Sequence, residues 1–365
     1  MFKKIICPFC FKEFKRKEIK YMCPNQQCPV TQNLRGHIIT NPKVGSNGLC
    51  SCDVCLRPTG IKVCPYCFSE LPHHIEKTIT ISIIGCCASG KTYFLGTLLK
   101  KLIQDTYLSN YGTSSICGDK KTSDAYESIF KRYFESNRLL PPTRIDESEP
   151  KFIELAYNKN KRIEKSLLSI WDAPGEGIYS VQSIGRFEYY HKSVKSSDCI
   201  ILIVDPLTIS YVKSKIEKSS CTSFGNYDPF CMIQNLLCVL NNNGNEKHRK
   251  HKIPLCIAFS KWDIVTETPG LLPDGLMCGQ SSIQMGSGYD EQRIDTISNE
   301  IRSLLMQQWN EAGLVDLAEL NFETVKYFSF SAWGSSNSGK SGAPDITSYR
   351  VEDPLLWVLH RNGII

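Results

Sequence analysis

The sequence lacks any long uncharged apolar run. None of its stretches approaches the roughly 20 consecutive apolar residues with which a helix crosses a bilayer. We also expect no secretory signal, because Lys12 and Glu13 interrupt the apolar run that follows the basic start. A hydrophobic content of 41% and a charged content of 22% exclude a disordered or collagen-like chain. We therefore expect no membrane association and a cytoplasmic location, where thiols stay reduced.

Cysteine, by contrast, is abundant and unevenly distributed. Nine of the 18 cysteines lie within the first 67 residues of the 365. Charge divides near the same place: residues 1–77 carry 12 Lys or Arg and 5 Asp or Glu, whereas residues 78–365 are nearly neutral. A domain of about 150 residues is a common size, so this length suggests two or three domains. We expect a small cysteine-rich domain at 1–77 and a larger domain at 78–365.

The cysteines of the first domain form closely spaced pairs. Three pairs have the spacing C-x2-C and one has C-x4-C, which in reduced proteins is typical of zinc knuckles. The pairs are Cys7 with Cys10, Cys23 with Cys28, Cys52 with Cys55, and Cys64 with Cys67. They supply thiolates for two zinc ribbons with four ligands each. Chain order favours joining the first knuckle to the second and the third to the fourth, and joining the first to the third stays open.

Other ligands and the role of these ribbons are less constrained. Cys50 could replace Cys52, and His37, His73 and His74 are spare candidates. Structural zinc replaces the core that so short a segment cannot build. A four-thiolate zinc site carries about −2, so two sites lower the charge of this domain to roughly +3. We expect the ribbons to dock a protein partner, with nucleic-acid binding as the alternative.

A phosphate-binding loop follows the cysteine-rich domain. The apolar, β-branched run 78–84 predicts a buried strand, and leucines at helical spacing come after the loop. The G-x4-G-K-[ST] match between them consists of Gly85, Cys86, Cys87, Ala88, Ser89, Gly90, Lys91 and Thr92. Backbone N–H groups of such a loop hold phosphates, Lys91 neutralises the β- and γ-phosphates, and the Thr92 hydroxyl binds Mg²⁺. A second match at 334–341 is rejected, because Pro344 follows it and no helical pattern does.

Two more motifs follow predicted strands. The run 166–171 ends in a D-x-x-G pattern, in which Asp172 would hold Mg²⁺ and the Gly175 N–H would sense the γ-phosphate. The run 253–260 ends in Ser-Lys-x-Asp, which is similar to the N/T-K-x-D motif of GTPases. Asp263 would accept hydrogen bonds from guanine N1–H and the 2-amino group, while the Lys261 stem packs on the base.

A last short motif completes the set. Ser331 and Ala332 follow the final predicted strand and resemble the S-A motif whose backbone N–H contacts guanine O6. The carboxyl ends of the strands in a doubly wound α/β sheet form one crevice, where ligands bind. The order of these motifs and their positions at strand ends place all of them around one nucleotide.

Together the motifs resemble those of the Ras-like, translation-factor-related GTPases (the TRAFAC class), over roughly residues 78–365. Within that class the chain is similar to the bacterial double-GTPase group of conflict or defence systems. The similar features are the zinc ribbons before the P-loop, the segments 140–143 and 351–357, and the W-D-A-P-G-E segment around Asp172. The resemblance implies a P-loop NTPase fold with a doubly wound, mostly parallel sheet. It also implies a switch that binds GTP or GDP with Mg²⁺.

The residues expected to catalyse hydrolysis depart from the Ras-like pattern. Thr143 is the candidate switch I threonine for Mg²⁺ and the γ-phosphate, with Thr113 and Thr122 as alternatives. Glu176 stands where Ras-like enzymes carry the glutamine that positions water. A carboxylate there could orient the water but would repel the γ-phosphate, so we expect slow hydrolysis that awaits a partner. Candidate arginine fingers are Arg138, Arg144 and Arg186.

The excess length of the GTPase domain lies in two insertions, at about 105–150 and 264–290. We expect the first to be a long loop, and the Gly/Pro-rich stretch 266–288 to be a lid or docking loop near the base. Asp-Pro pairs at 228–229 and 353–354 predict N-caps of two helices that pack on the sheet. Two alternatives to a GTPase switch stay open: a P-loop ATPase, and a nucleotide-gated scaffold or nucleic-acid-binding adaptor with negligible turnover.

Overall fold

The structure is a computed structural model. It describes residues 5–25, 27–29, 36–72, 75, 77–86, 88–131, 149–172, 191–216, 228–241, 249–280, 289–332 and 348–365. The spare histidines His73 and His74 and the rejected loop match at 334–341 lie outside the described residues.

The cysteine-rich region (residues 5–72) is built from very short strands. These are β1 (Ile5–Ile6), β2 (Glu13–Phe14), β3 (Lys20–Met22), β4 (Ile38–Ile39), β5 (Cys50–Ser51), β6 (Pro58–Thr59) and β7 (Lys62–Val63). β1 pairs with β2 and β5 with β6, while β3 lies between β4 and β7 in a three-stranded sheet. All of these pairings are antiparallel. Elements this short bury little apolar area, so the region depends on other stabilising contacts.

A seven-stranded sheet forms the centre of the larger region. Its strands are β8 (Thr78–Gly85), β9 (Thr113–Cys117), β10 (Lys151–Lys159), β11 (Arg162–Asp172), β12 (Cys199–Val204), β13 (Leu255–Phe259) and β14 (Val325–Ser329). Their order is β14-β13-β12-β8-β11-β10-β9. The first five in that order are parallel, and β10 is antiparallel to both neighbours. The predicted α/β class with a mostly parallel sheet is confirmed.

Helices cover both faces of this sheet. They are α1 (Lys91–Ile103), α2 (Lys120–Ala125), α3 (Ser210–Lys215), α4 (Pro229–Asn241), α5 (Trp262–Glu267), α6 (Glu291–Ser303), α7 (Ala312–Asn321) and α8 (Asp353–Arg361). Alternate residues of β8 enter different apolar layers: Ile83 packs with α1 and α8, and Ile84 packs with α4, α6 and α7. Strands covered on both faces become continuous apolar runs, as in β12. Among the described residues, none of the helices is apolar over a length that could cross a membrane.

Part of the segment expected to be a loop after Gln104 is ordered secondary structure. The described residues up to Lys131 contain a 3₁₀ helix at Tyr107–Tyr111, the strand β9, and α2 followed by a π-helical turn. β9 pairs with β10 and adds an edge strand to the sheet. Its sequence, Thr-Ser-Ser-Ile-Cys, is too short and polar to predict a strand by itself.

The loop after α5, where we expected a lid or docking loop, is fixed by hydrogen bonds in its described part. The carbonyl oxygen of Cys278 accepts hydrogen bonds from Trp262 Nε1 at 2.7 Å and Arg350 Nη1 at 3.0 Å. The Glu300 carboxylate accepts the N–H groups of Met277 at 3.1 Å and Cys278 at 2.8 Å. This loop therefore forms part of the packed structure as far as Gln280.

The two predicted caps behave differently. The Asp228 carboxylate accepts the N–H of Phe230 at 2.9 Å, which confirms a cap on α4. Asp353 is instead the first residue of α8 and its carboxylate turns to Arg350, with 3.2 Å between Nε and Oδ2. The predicted capping role of Asp353 is wrong, because the pairing with a buried arginine replaces the capping bond. Burial raises the pKa of Asp353 to about 6, and Arg350 opposes that rise.

Replacing Arg350 with methionine is expected to lower the free energy of unfolding by about 3–5 kcal/mol at pH 8, because Asp353 is left buried without its cation. The folded pKa of Asp353 lies above its ordinary 3.8, so ionisation destabilises the fold. Without Arg350, which lowers that pKa, the Asp353 carboxyl of the variant takes up its proton at a higher pH than that of the wild type, so the deficit should shrink as the pH falls from 8 towards 6. Urea unfolding at pH 5 and pH 8 measures it. Adding Asp353→Asn should recover part of the loss, and equal losses in the single and double variants would contradict this account.

Candidate nucleotide and metal sites

The P-loop lies between β8 and α1. Gly85 has no room for a side chain, because a Cβ there would come within 2.6 Å of the Ile203 carbonyl oxygen. Gly90, directly before α1, adopts a left-handed φ of 91°. The buried Lys91 Nζ donates to the carbonyl oxygens of Gly85 and Cys86, each at 2.7 Å. The loop therefore curls tightly around its lysine at the N-terminus of α1, which suits an anion.

Asp172 lies beside this loop. It is the last residue of β11 and pairs in register with Ile83 of β8. Its side chain is buried, and Oδ1 has no hydrogen-bond partner among the described residues. Burial raises the pKa of Asp172 to about 6, while the ammonium groups of Lys91 and Lys151 lower it. An unpaired carboxylate oxygen inside a protein is costly, and it is a ligand of the kind Mg²⁺ prefers. The site therefore fits a magnesium ion.

The Ser-Lys-x-Asp motif follows β13, beside the end of β12. Lys261 Nζ contacts Asp205 Oδ2 at 2.6 Å, which fixes the lysine stem. Asp263 Oδ1 accepts a hydrogen bond from Ser331 Oγ at 2.6 Å. Burial raises the pKa of Asp263, and the Ser331 hydroxyl and Lys261 lower it. Gly90 approaches this motif closely, because a Cβ on it would lie 3.4 Å from Ser260 Cβ.

Ser331 connects the Ser-Lys-x-Asp motif to Tyr349, which lies shortly before α8. Its backbone N–H donates to the Tyr349 carbonyl oxygen at 3.1 Å, and the Tyr349 N–H donates back at 2.9 Å. The N–H of Ser331 is therefore used within the protein, and its hydroxyl orients Asp263. Thr97 of α1 reaches the neighbouring Ala332 carbonyl at 3.5 Å. The S-A segment is thus held between α1 and the residues before α8.

The carboxyl edge of the sheet brings most of the predicted site residues together. They are Gly85, Cys86, Ala88, Ser89, Gly90, Lys91, Thr92, Asp172, Lys261, Asp263, Ser331 and Ala332. Several others lie outside the described residues, namely Cys87, Thr143, Gly175, Glu176 and the arginines Arg138, Arg144 and Arg186.

The alternative switch threonines have structural partners. Thr113 Oγ1 donates to the Ile364 carbonyl oxygen at 3.2 Å. Thr122 Oγ1 accepts the N–H of Phe152 at 2.9 Å, and its own N–H is capped by Asp119. Both side chains are buried in these roles. The geometry therefore favours neither as a ligand of a nucleotide.

Two charged residues of this edge were missed by motif reasoning. Asp205 directly follows the apolar strand β12 and holds Lys261, and an aspartate after a buried strand was the available signal. Lys151 begins β10, and its positive charge acts on Asp172. Burial lowers the pKa of Lys151, and the Asp172 carboxylate is among the groups that raise it. No pattern in the sequence marks Lys151, because its position depends on how β10 pairs with β11.

The eight predicted zinc ligands form two clusters. One contains Cys7, Cys10, Cys64 and Cys67, and the other contains Cys23, Cys28, Cys52 and Cys55. Sulfur atoms lie 3.8 Å apart in the Cys7–Cys67 pair and 3.5 Å apart in Cys23–Cys55. Four thiolates about 2.3 Å from a tetrahedral zinc ion would lie roughly 3.8 Å from one another. The clusters therefore fit zinc, and these distances are far too long for disulfides.

The pairing of knuckles is nested, so the predicted sequential pairing is wrong. The first knuckle joins the fourth, and the second joins the third. The cause is the antiparallel pairing of β3 with β7, in which Tyr21 lies opposite Lys62. Cys23, just after β3, therefore lies near the start of β7 and the third knuckle, whereas Cys64 follows the other end of β7. Cys50 is buried and belongs to neither cluster.

Three knuckles share one backbone geometry that suits thiolates. The residue after the second cysteine is left-handed in each, with φ of 59° at Phe11, 57° at Leu56 and 57° at Phe68. Backbone N–H groups point at the first sulfur, with Phe9 N 3.4 Å from Cys7 Sγ and corresponding contacts in the other two knuckles. N–H donors stabilise the negative charge of a bound thiolate, so these turns are organised for metal.

His37 takes a different role from the one foreseen for it. Its Nε2 lies 2.6 Å from Asp53 Oδ1, next to the second cluster. His37, Asp53 and Cys52 form a small group of potential ligand atoms. Because Cys52 already belongs to a four-cysteine cluster, His37 is better described as a neighbour of that site than as its ligand.

The parallel sheet, the P-loop and the aspartates at the strand ends define a P-loop GTPase fold. The family model described as Double-GTPase 2 matches residues 79–339. The chain therefore belongs to the double-GTPase 2 family, and the expected relationship to GTPases is confirmed.

The similarity to a solved structure is distant. Among solved structures, the chain is similar to the S. cerevisiae Ski7 GTPase-like domain bound to GTP, with 18% sequence identity and a TM-score of 0.32. The match covers 79% of this chain and 50% of the other, so this chain spans about half of that one. No curated protein matches the sequence.

Proposed function

We propose that the protein is a GTP-binding switch that hydrolyses GTP slowly with Mg²⁺. The observation that carries this proposal is the geometry of one sheet edge. The P-loop, Asp172 with an Oδ1 that has no hydrogen-bond partner among the described residues, and Asp263 of the Ser-Lys-x-Asp motif all lie there. Membership of the double-GTPase family supports GTP binding. A nucleotide in this crevice would lie with its phosphates on the P-loop and its base at the ends of β13 and β14.

Each part of the nucleotide has a chemical partner in this arrangement. The N–H groups of residues 85–92 and Lys91 would hold the phosphates. The carboxylate of Asp263, oriented by Ser331, would accept the two N–H donors of guanine. Adenine offers no such pair of donors, so we propose that this contact selects GTP. Lys261, held by Asp205, would cover one face of the base.

The same edge would hold magnesium through Thr92 and Asp172, with Thr143 as the proposed third ligand. Bound Mg²⁺ would neutralise charge on the β- and γ-phosphates. The chain's own contribution is a buried carboxylate beside Lys91 and Lys151: burial raises the pKa of Asp172 to about 6, and the two positive charges limit that rise.

We propose that Thr143, Gly175 and Glu176 act on the γ-phosphate and the attacking water. Glu176 would orient that water, but its negative charge would oppose the approach to the phosphate. Turnover should therefore be slow, on the order of 10⁻³ s⁻¹ or less without a partner, as in other GTPases that lack a complete catalytic set.

Phosphate release from Mg·GTP tests this proposal. Wild-type protein should release phosphate slowly, and Glu176→Gln should be at least as fast because an amide orients water without the repulsion. Lys91→Met should abolish release, because the phosphates lose their buried cation. No release from wild-type protein that binds GTP would contradict the hydrolysis step and favour a nucleotide-gated scaffold.

We further propose that residues 1–77 form a two-ribbon docking module on a GTPase domain at 78–365. An open cavity with a volume of about 780 Å³ on this module supports docking. Its lining includes Arg16, Lys17, Lys43 and Lys62 and contains no carboxylate. This charge favours an acidic protein segment as the partner. The family resemblance suggests that the switch serves a bacterial conflict or defence system.

Nucleic acid is the second candidate for this surface, because the same four cations would attract a phosphate backbone. A labelled polyglutamate peptide and a labelled single-stranded oligonucleotide separate the two candidates. Peptide binding that is lost in Lys43→Glu supports protein docking. Tighter oligonucleotide binding with a steep salt dependence would support the adaptor instead.

A further inference from the structure

The first zinc knuckle packs directly on two strands of the GTPase sheet. The ring centroids of Phe9 and Phe152 lie 5.5 Å apart in an edge-to-face arrangement. Those of Phe11 and Trp171 also lie 5.5 Å apart, with the planes tilted by 53°. Both sheet residues are fully buried, and Phe152 shares an apolar cluster with Cys7. The knuckle thus covers part of the sheet with aromatic contacts that are favourable beyond the area they bury.

These contacts fall at the edge of the sheet that carries the nucleotide residues. Trp171 directly precedes Asp172, the proposed magnesium ligand, at the end of β11. Phe152 is the second residue of β10, next to Lys151, whose charge acts on Asp172. Antiparallel pairing places Lys151 opposite Ile170, so both contacts lie at the same end of the β10–β11 hairpin. The knuckle therefore contacts the residues next to Asp172 in β11 and next to Lys151 in β10.

Equivalent positions in the other knuckles show that this contact is specific. Phe11, Leu56 and Phe68 occupy the same left-handed position in their turns. Leu56 is 74% exposed and Phe68 is 38% exposed, whereas Phe11 packs on Trp171. The knuckle fold alone thus does not require an aromatic residue that packs on another element at this position. In the first knuckle, the phenylalanine at this position packs on Trp171 of the GTPase sheet.

We propose that the first zinc knuckle is a positioning element of the magnesium and γ-phosphate end of the nucleotide site. The thiolates of Cys7, Cys10, Cys64 and Cys67 fix the turn, and Phe9 and Phe11 hold Phe152 and Trp171, and through them Asp172. This inference rests on the proposed GTP-binding function. Phe9 and Phe11 are positioning residues, because they contact Phe152 and Trp171 and act on Asp172 only through them.

A coupling of this kind acts in both directions. If the knuckle favours the placement of Asp172 that binds Mg·GTP, then Mg·GTP must favour the folded knuckle by the same free energy. The first zinc site should then lose its metal more slowly when Mg·GTP is bound. The second site should be unaffected, because its cysteines lie on the knuckles that do not make these contacts.

Nucleotide affinities of two matched variants test the proposal in the full-length, zinc-loaded protein. Phe11→Ala is expected to weaken Mg·GTP binding about tenfold, roughly the worth of one well-packed aromatic contact. It should change the affinity for GDP in EDTA less than about twofold, because no magnesium is then held. Phe68→Ala removes the equivalent side chain of another knuckle and should change neither affinity. Phe11→Tyr keeps the aromatic ring and should bind Mg·GTP nearly as tightly as the wild-type protein.

The outcomes separate this inference from the proposed function. If wild-type protein binds no guanine nucleotide, the proposed function fails. If wild-type binds and Phe11→Ala behaves like Phe68→Ala, or loses affinity equally with and without magnesium, the positioning role is overturned. The rate at which zinc is released to a chelator tests the coupling without changing any aromatic residue. In Cys52→Ser, which should keep only the first site, Mg·GTP should slow release severalfold, and an unchanged rate would overturn the coupling.

Discussion

Replacement of Asp263 by alanine is expected to weaken GTP binding by at least about 100-fold. Guanine N1–H and the 2-amino group would both donate to this carboxylate, and hydrogen bonds to a charged group contribute roughly 1.5–3 kcal/mol each. The Asp263 carboxylate is already oriented by Ser331 Oγ at 2.6 Å, so binding of the base would cost little side-chain entropy at this residue. Fluorescence titration with a labelled guanine nucleotide measures the loss.

Three related variants sharpen this test. Ser331→Ala should weaken GTP binding by roughly tenfold, because Asp263 then loses a single orienting hydrogen bond. Asp263→Asn should shift preference towards xanthosine triphosphate, whose C2 oxygen can accept from the new amide. Asp295→Asn is the control, since Asp295 of α6 is half-exposed and pairs with Lys326 of β14. Unchanged GTP affinity in Asp263→Ala would contradict the assigned orientation of the base.

Removal of zinc is expected to unfold the cysteine-rich region. Its strands are two or three residues long, and much of its buried cluster consists of the ligand cysteines themselves. Zinc binding in small domains of this kind is worth roughly 10–16 kcal/mol for each structural site. A colorimetric chelator should detect two zinc ions released from each chain. Protease cleavage within residues 5–72 should then become rapid.

A pair of neighbouring cysteines provides the control for this result. Cys52→Ser should lower the zinc content from two to one, because Cys52 belongs to the second cluster. Cys50→Ser should keep both ions, because Cys50 is buried outside either cluster. The opposite pattern would show that Cys50 is the true ligand, and a content below two in wild-type protein would contradict the two-site account.

Local patterns predicted the parts of this protein that depend on local chemistry. The P-loop between a strand and a helix, the apolar strands β12 and β13, and the eight clustered cysteines all follow from spacing and periodicity within short windows. The cap at Asp228 follows from the same kind of signal. Each of these features is determined by residues close together in the chain.

The parts that were missed depend on long-range pairing. The nested zinc ligation follows from the register of β3 with β7, which two- and three-residue strands do not reveal. The edge strand β9 is stabilised by β10 and not by its own polar sequence. Asp353 has an ordinary capping pattern, but a buried arginine takes its carboxylate. Lys151 reaches Asp172 only because β10 folds back on β11.

Competition between GTP and ATP for the unmodified, zinc-loaded protein tests the central claim most directly. In the presence of Mg²⁺, GTP and GDP should displace a fluorescent guanine nucleotide at micromolar concentrations or below. ATP should need concentrations at least about 100-fold higher, because adenine lacks the two donors that Asp263 would accept. Displacement by ATP at equal or lower concentrations would contradict the account and identify the protein as an ATP-binding member of the P-loop fold.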